Sequence, residues 1–235
     1  AVRPGKTMLV IAETPSNPRL DLVDLAVLGA IKGPITVVDS TIATPLGQRP
    51  HDHGVSLALH SATKGIAGHN DATIGVIAGD ADLIGDIWSY SVLHGATASP
   101  FDAMNALRGV RTLDARLARQ CESAQILAEW LSEQKNVTAV HYPGLKSHPQ
   151  HDLAKKQMNY LGLVLSFEIA GGKAAATKLL GALKLIRPAV TFGGPESLIS
   201  HSASSTHNSV DPDTKAKIGV TDSLLRLSVG LEACV

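Results

Sequence analysis

Two short stretches of the sequence combine side chains that could hold an electrophilic cofactor. In the first, HSATK, Lys64 follows two hydroxyl residues, Ser61 and Thr63. In the second, VVDST, Asp39 follows a run of apolar and β-branched residues. A lysine amine can bind an aldehyde, nearby hydroxyls can donate to a phosphate, and a carboxylate can pair with a pyridinium nitrogen. These are the polar groups that pyridoxal 5'-phosphate (PLP) requires, and the two stretches together predict this cofactor.

Each of these residues also has an ordinary structural interpretation. Most lysines are solvated surface groups, and an aspartate after a strand commonly caps a helix or closes a turn. The surroundings of Lys64 favour the functional interpretation, because Gly65 and Gly68 would let the backbone approach a ligand closely. Asp39 ends a predicted buried strand, and ligands of open α/β sheets collect at the carboxyl ends of strands.

A third candidate, Arg226, lies between Leu225 and Leu227 in a predicted strand at Leu224–Val229. A charged group among apolar neighbours requires a partner. One interpretation is an arginine on an edge strand with its guanidinium in solvent. The other is a fork that binds a substrate carboxylate through two parallel hydrogen bonds.

Composition argues against several classes of function. The 235 residues carry 21 basic and 21 acidic side chains, and this balance argues against nucleic acid or an anionic membrane as the partner. No apolar run approaches the roughly 20 residues of a membrane helix. Cys121 and Cys234 are too few and too far apart for a disulfide framework, which favours a reducing cytoplasmic setting. His141, His148 and His151 lack a recognised ligand spacing, and we expect no metal site.

The first hundred residues alternate between predicted strands, turns and one helix. Leu20–Ile31 has apolar residues at helical spacing. The predicted buried strands are Met8–Ala12, Ile35–Val38, Val55–Leu59 and Ile74–Ala78. This order of elements is typical of a largely parallel sheet with helices on its faces.

The pattern changes in the second half of the chain. A long helical region is predicted over Phe101–Gln134, with a break at Gly109, and a further helix over Lys173–Leu183. Further strands are predicted at Val137–Tyr142, Gly162–Ile169 and Leu224–Val229. We therefore expect an α/β protein of two units, residues 1–112 and residues 113–235.

Nine segments, in order along the chain, resemble the transsulfuration family of PLP enzymes of cysteine and methionine metabolism, which includes cystathionine gamma-lyase, cystathionine gamma-synthase and methionine gamma-lyase. The segments are ETPSNP (13–18), VDST (38–41), ATP (43–45), HSATK (60–64), GHND (68–71), LRG (107–109), YPGL (142–145), GGPESL (193–198) and LRLSVGLE (225–232). The resemblance implies the aspartate-aminotransferase-type fold, fold type I. Residues 1–112 would be the second half of the large, PLP-binding domain, and residues 113–235 the small C-terminal α/β domain.

The resemblance also implies roles for the residues around the cofactor. Lys64 would bind the PLP aldehyde, and Asp39 would pair with the ring nitrogen. Ser61 and Thr63 would be phosphate ligands. Asn17 matches a position that contacts both the cofactor ring oxygen and the substrate carboxylate.

On the substrate side, Arg226 matches the carboxylate-binding arginine of the family, and Thr191 stands where a serine is usual. Glu196 matches a position tied to substrate preference. The chain departs from the family pattern at Ser40, where asparagine is common, and at Gly65, which replaces an aromatic residue.

The family's large domain normally begins far upstream of Glu13, with a phosphate-binding loop and a tyrosine that stacks on the cofactor. Its members also continue beyond the position of Glu232 into a closing helix. We therefore expect this sequence to be a piece of a larger polypeptide. By resemblance, the working form is a cytoplasmic homotetramer, a dimer of dimers with active sites shared between subunits.

The activity that the resemblance implies is gamma-elimination on a sulfur amino acid, methionine or cystathionine, giving 2-oxobutyrate, ammonia and a thiol. Gamma-replacement by a cystathionine gamma-synthase or homoserine sulfhydrylase is the alternative, because lyases and synthases share the GGPESL segment. A beta-lyase is less favoured. A non-catalytic remnant is disfavoured, because Lys64, Asp39 and Arg226 are all present.

Overall fold

The computed structural model describes residues 2–233, which contain two β-sheets. The first sheet is built from residues 9–79 and the second from residues 137–228. Three helices lie between the two sheets in the sequence. They are α3 (Ala81–Leu93), α4 (Pro100–Val110) and α5 (Leu113–Ser132). Cys234 lies outside the described residues.

The first sheet has three parallel strands and one antiparallel edge strand, in the order β1-β2-β3-β4. The strands are β1 (Leu9–Glu13), β2 (Ile35–Asp39), β3 (Leu57–Ser61) and β4 (Gly75–Gly79). The predicted parallel arrangement is therefore right for the first three strands. The fourth reverses, because residues 62–74 fold as a turn at the carboxyl end of β3, where the Thr63 N–H donates to Ile74 O at 3.1 Å.

The helix predicted over Leu20–Ile31 is shorter in the structure, where α1 spans Leu25–Gly29. It begins there because the Asp24 carboxylate accepts from the N–H groups of the first turn. The buried side chains of α1 pack against Val38 of β2 in a small apolar cluster. Residues 14–24 are left as a loop that crosses the end of the sheet.

Three further helical elements follow in the first hundred residues. They are α2 (Thr44–Gly47), a 3₁₀ turn at Pro50–His53 and α3 (Ala81–Leu93). The sequence analysis did not predict α3. Within the described residues this helix buries none of its side chains, so its apolar residues, among them Trp88 and Leu93, do not form a core-facing stripe.

The predicted long helical region is two helices, and the break falls at Arg111–Thr112 rather than at Gly109. Gly109 instead allows a close approach of α4 to the turn after β3. A Cβ at this position would lie 2.0 Å from the carbonyl oxygen of Ala67. In α5, buried residues recur at helical spacing, and two of them, Ala124 and Ala128, are small enough for the helix to lie close to the second sheet.

The second sheet has five strands in the order β5-β6-β9-β8-β7, all antiparallel except the pair β7 and β8. Its strands are β5 (Val137–His141), β6 (Val164–Ile169), β7 (Arg187–Pro188), β8 (Leu198–His201) and β9 (Leu224–Ser228). The helices in this part are α6 (His151–Gln157), α7 (Gly172–Ala182) and α8 (Pro212–Lys217), with a 3₁₀ turn at Ser202–Ser204. None of the helices within residues 2–233 has the length and apolar character needed to cross a bilayer.

The main hydrophobic core lies between this sheet and α5. It includes Leu117 of the helix and Leu165 and Leu225 of the central strands, all fully buried. Because β9 is paired on both sides, Arg226 lies in register with Ser166 of β6 and Ser200 of β8. The edge-strand interpretation of Arg226 is therefore wrong.

The close approach of α4 to the turn after β3 gives a matched pair of glycine substitutions. Gly109→Ala should destabilise the protein by roughly 1–3 kcal/mol, because the added methyl group meets a backbone carbonyl that cannot rotate away. Gly85→Ala, in the interior of α3 with open space around it, should instead stabilise by about 0.5–1 kcal/mol. Urea denaturation of both variants measures the difference, and an equal effect of the two would contradict the packing described here.

Candidate active site

The carboxyl ends of β2 and β3 bring Asp39 and Ser61 together through Thr41. The Thr41 hydroxyl donates to Asp39 Oδ1 and accepts from the Ser61 N–H at 2.8 Å. Asp39 Oδ1 also accepts from the Thr41 N–H at 3.0 Å, so the aspartate does close a turn, as its ordinary interpretation proposes. Its second oxygen, Oδ2, makes no hydrogen bond within residues 2–233 and remains able to accept one.

The turn after β3 presents Lys64. It is held by backbone hydrogen bonds from Lys64 N to Ser61 O (3.0 Å) and from Gly68 N to Lys64 O (2.8 Å). The Ser61 hydroxyl has no partner in the described part of the chain. The Thr63 hydroxyl, in contrast, accepts from Ile74 N at 2.9 Å and donates to Ile74 O at 3.3 Å. Of the two predicted phosphate ligands, one hydroxyl is therefore available and the other is bonded to backbone.

The Lys64 amine is half-buried and points toward a segment of the second half of the chain. Its Nζ donates to Thr191 Oγ1 at 2.9 Å and lies 5.2 Å from the centroid of the Phe192 ring. Burial lowers the pKa of Lys64 below its ordinary value, and the positive charge of Arg226 lowers it further. Lys64 is therefore not a freely solvated surface lysine.

Arg226 is 2% exposed and has no carboxylate partner among residues 2–233. Its Nη2 donates to the carbonyls of Val190 (2.7 Å) and Thr191 (3.2 Å), and its Nη1 donates to Asn17 Oδ1 (3.0 Å). Its buried Nε has no hydrogen-bond partner there. Burial lowers the pKa of Arg226 to about 10, so the group stays protonated at neutral pH. A buried cation with no counter-ion and an unused donor is suited to bind an anion.

The loop that carries Asn17 is fixed at both of its sides. On one side, the Thr14 N–H donates to the carbonyl of Asp39 at 3.1 Å. On the other, the Ser166 hydroxyl donates to the carbonyl of Pro18, and Ser166 is the register partner of Arg226. The loop therefore links the first sheet, at Asp39, to the buried guanidinium in the second.

Glu196 is not brought into hydrogen-bonding contact with Lys64 or Arg226. Its Oε2 accepts from the Asn70 amide at 3.0 Å, and both residues are exposed. This contact joins the loop after Lys64 to the GGPESL segment. Ser197 of the same segment is held by Glu232, whose two oxygens accept from the Ser197 N–H (2.7 Å) and hydroxyl (2.8 Å).

The sequence analysis did not single out Phe192. Its ring centroid lies 5.2 Å from both Lys64 Nζ and Arg226 Cζ, so both cations contact one aromatic ring. The only signal in the sequence is its position directly after Thr191 in an otherwise aromatic-poor chain. In the sequence, a phenylalanine at this position cannot be distinguished from an ordinary core residue. Its contact with the two cations is visible only in the tertiary structure.

The groups present fit PLP in their chemistry. Among residues 2–233, a half-buried amine, an aspartate oxygen without a partner and a free serine hydroxyl lie at the carboxyl ends of adjoining strands, where ligands of α/β sheets bind. The unpartnered Nε of Arg226 adds a buried donor on the second sheet. The described residues contain no cluster of three or more His, Cys, Asp or Glu side chains that could hold a metal ion.

The family model and the curated relatives that match this chain point to the same group of enzymes. The model of the Cys/Met metabolism PLP-dependent enzyme family matches residues 1–235. A cystathionine beta-lyase of Coxiella burnetii is 45% identical, over 97% of this chain and 60% of its own length. An L-methionine gamma-lyase of Pseudomonas putida is 42% identical, over 96% of this chain and 58% of its own length.

Solved structures agree with the fold. The cystathionine gamma synthase of Xanthomonas oryzae pv. oryzae, in complex with cystathionine, superposes with a TM-score of 0.93 at 45% identity, over 96% of this chain and 59% of its own. A cystathione gamma lyase (CalE6) of Micromonospora echinospora superposes with a TM-score of 0.92 at 40% identity, over 96% of this chain and 60% of its own.

The chain thus spans no more than 60% of the length of these curated relatives. At this level of identity and structural agreement, the predicted fold class, the type I fold of PLP enzymes, is confirmed. The chain belongs to the family of PLP-dependent enzymes of cysteine and methionine metabolism.

Proposed function

We propose that this protein catalyses PLP-dependent gamma-elimination on a sulfur amino acid, methionine or cystathionine, releasing 2-oxobutyrate, ammonia and a thiol. The observation that carries the proposal is the pair of cations on the Phe192 ring. Lys64, whose pKa is lowered, lies near the same ring as Arg226, a buried guanidinium that has no counter-ion among residues 2–233. An amine that can hold an aldehyde cofactor and a cation that can bind a carboxylate are the two groups that an amino-acid substrate requires.

The cofactor would be held by the first sheet and the turn after β3. Lys64 would bind its aldehyde, Asp39 its ring nitrogen and Ser61 its phosphate. Thr63 would join Ser61 by giving up its longer contact, the 3.3 Å donation to Ile74 O. When bound, PLP supplies an electron sink for the carbon next to the substrate amine. Asp39 would contribute by accepting a hydrogen bond from the protonated ring nitrogen through Oδ2, because its other oxygen is already bonded to Thr41.

Lys64 would also move protons. Its lowered pKa leaves a larger fraction of the amine neutral near pH 7, and only the neutral amine can accept a proton from carbon. The Thr191 hydroxyl, 2.9 Å from Nζ, would hold the amine when it is not bonded to the cofactor. A positioned base of this kind typically contributes about 10²–10⁴-fold to a proton transfer.

The substrate would be oriented from the second half of the chain. Arg226 and Asn17, joined at 3.0 Å, would bind the carboxylate. Thr191 would lie beside it. Glu196, hydrogen-bonded to Asn70, would act at the edge of the site and influence which side chain is accepted.

Gamma-replacement on an activated homoserine is the second candidate. It is supported by the cystathionine gamma synthase structure and by an O-succinylhomoserine sulfhydrylase of Pseudomonas aeruginosa, 39% identical over 96% of this chain. A beta-lyase would release pyruvate from cystathionine instead.

Three assays separate these activities: 2-oxobutyrate for gamma-elimination, pyruvate for beta-elimination, and cystathionine formed from an acylhomoserine and cysteine for gamma-replacement. The absence of 2-oxobutyrate from every lyase assay would reject gamma-elimination.

We further propose the arrangement that the family resemblance implies. Residues 1–112 would be the C-terminal part of the large PLP-binding domain and residues 113–235 the small domain, which the two separate sheets support.

The working form would be a cytoplasmic homotetramer. Exposed apolar side chains on α3 and α4, including Trp88 and Phe101, support association with further protein surface. Light scattering after size-exclusion chromatography tests the subunit number.

Removing the Lys64 amine tests the cofactor assignment. Lys64→Ala should lose the visible absorbance of bound PLP and the pyridoxyl mass that borohydride leaves on the peptide containing residue 64. Turnover should fall below detection while the far-ultraviolet circular dichroism stays unchanged. Lys184→Ala, at an exposed lysine, serves as the matched control. Retained turnover in Lys64→Ala would refute the assignment.

Arg226→Lys tests the carboxylate site, because lysine keeps the charge and loses the planar fork. The KM for the amino-acid substrate should rise about ten- to a hundredfold, the loss expected for one or two charged hydrogen bonds. The change in kcat should be smaller. Arg119→Lys, at a partly exposed arginine of α5 that pairs with Glu122, should leave both constants unchanged. A KM equal to that of the unchanged protein would exclude Arg226 from substrate binding.

The lowered pKa of Lys64 can be measured directly in protein freed of PLP. Trace acetylation with acetic anhydride over a pH series, read by peptide mass, should give a midpoint for Lys64 below that of exposed lysines in the same sample. The cause is burial first and Arg226 second, so replacing Arg226 by methionine should raise the midpoint. A Lys64 midpoint equal to that of Lys184 would show that the amine is fully hydrated.

A further inference from the structure

Arg116, in the first turn of α5, is a buried cation outside the set of residues described so far. It is 5% exposed. Its Nη1 donates to Gly65 O (2.9 Å), and its Nη2 donates to Ile66 O (3.2 Å) and Gly109 O (2.7 Å). Its Nε donates to the Thr112 hydroxyl at 3.1 Å. All three nitrogens are thus used, and no carboxylate pairs with the group within residues 2–233.

Two of these carbonyls belong to the residues directly after Lys64. The carbonyls of Gly65 and Ile66 accept no backbone hydrogen bond within residues 2–233, and the Arg116 guanidinium supplies the donors that they lack. The contact is close, because a Cβ at Gly68 would lie 1.9 Å from Arg116 Nη1. Arg116 therefore fixes the backbone of the turn from the side of α5.

Gln120 lies one helical turn farther along the same face of α5. It is 1% exposed, and its Nε2 donates to Gly194 O (2.8 Å) and Val229 O (3.0 Å). Gly194 belongs to the segment that begins with Thr191 and Phe192. Gln120 therefore fixes the backbone of the segment that receives the lysine amine.

The two segments touch directly by their backbones. A Cβ at Gly193 would lie 2.6 Å from the amide nitrogen of Gly65. Their separation is therefore determined by backbone positions, and one face of α5 binds both backbones.

We propose that Arg116 and Gln120 are positioning residues, which together set the distance between the Lys64 amine and the Thr191 hydroxyl. The inference rests on the proposed role of Lys64 and assigns neither residue a contact with substrate. Loosening either anchor would let the two segments separate and release the amine to water. A purely structural role would instead lower stability and leave the amine as it is.

The test uses Arg116→Lys and Gln120→Met, with Arg119→Lys as the control on the exposed side of the same helix. Each protein is freed of cofactor and incubated with PLP over a pH series. It is then reduced with borohydride, and the pyridoxyl group on Lys64 is quantified by peptide mass. Arg226, the charged group that acts on the amine, is the same in every variant. Thermal unfolding is recorded alongside.

In Arg116→Lys and Gln120→Met, the rate of Lys64 modification should fall about ten- to a hundredfold, as expected when a reacting group is misplaced by about 1 Å. The pH midpoint of the reaction should rise toward that of an exposed lysine. Arg119→Lys should match the unchanged protein. If Arg116→Lys fails to fold, Gln120→Met decides the question.

Rates and midpoints in both variants equal to those of Arg119→Lys would overturn the positioning role and leave the proposed function intact. Lowered thermal stability with an unchanged midpoint would do the same. Absence of pyridoxyl on Lys64 in the unchanged protein would overturn the proposed function, and this inference with it.

Discussion

The hydrogen bond between Lys64 Nζ and Thr191 Oγ1 joins residues 127 positions apart in the chain and brings the two sheets to one site. Everything else in the site depends on the backbone segments that hold these two groups. The turn after β3 presents the amine, and the segment before GGPESL presents the hydroxyl and the Phe192 ring. Because both segments are bound to α5, the amine is kept partly out of water, and this burial is the main cause of its lowered pKa.

Two buried arginines show how the same side chain serves different purposes. Arg116 donates hydrogen bonds from all three nitrogens, to three backbone carbonyls and one hydroxyl, so its charge is compensated by dipoles within the protein. In the part of the chain that the structure describes, Arg226 leaves Nε without a partner and faces an asparagine amide and a lysine amine rather than a carboxylate. The cost of burying an incompletely paired cation is offset when an anionic ligand binds. The first arginine therefore stabilises the site, and the second is suited to receive a carboxylate.

The local pattern predicted most strands to within a few residues and misjudged elements whose form depends on distant contacts. The start of the predicted helix at Leu20 became a loop because Gln150 and Gln157 of the second half bind the backbone at Leu22 and Leu25. The direction of β4 followed from the compact turn after Ser61. Helix α3 was not predicted, because within the described residues it has no stripe of buried apolar side chains.

The sequence by itself determined the kind of chemistry. A lysine beside hydroxyls and an aspartate after an apolar strand carry the same functional groups in any fold, and the nine segments occur in the same order along the chain as in the family. Only the tertiary structure decided which groups meet. It made β9 a central strand and so buried Arg226, it brought two cations to within 5.2 Å of the Phe192 ring centroid, and it left Glu196 beside Asn70. The reason is physical: burial and hydrogen bonding depend on neighbours that are distant in the chain, 127 residues apart for Lys64 and Thr191 and 209 for Asn17 and Arg226, and local periodicity carries no information about them.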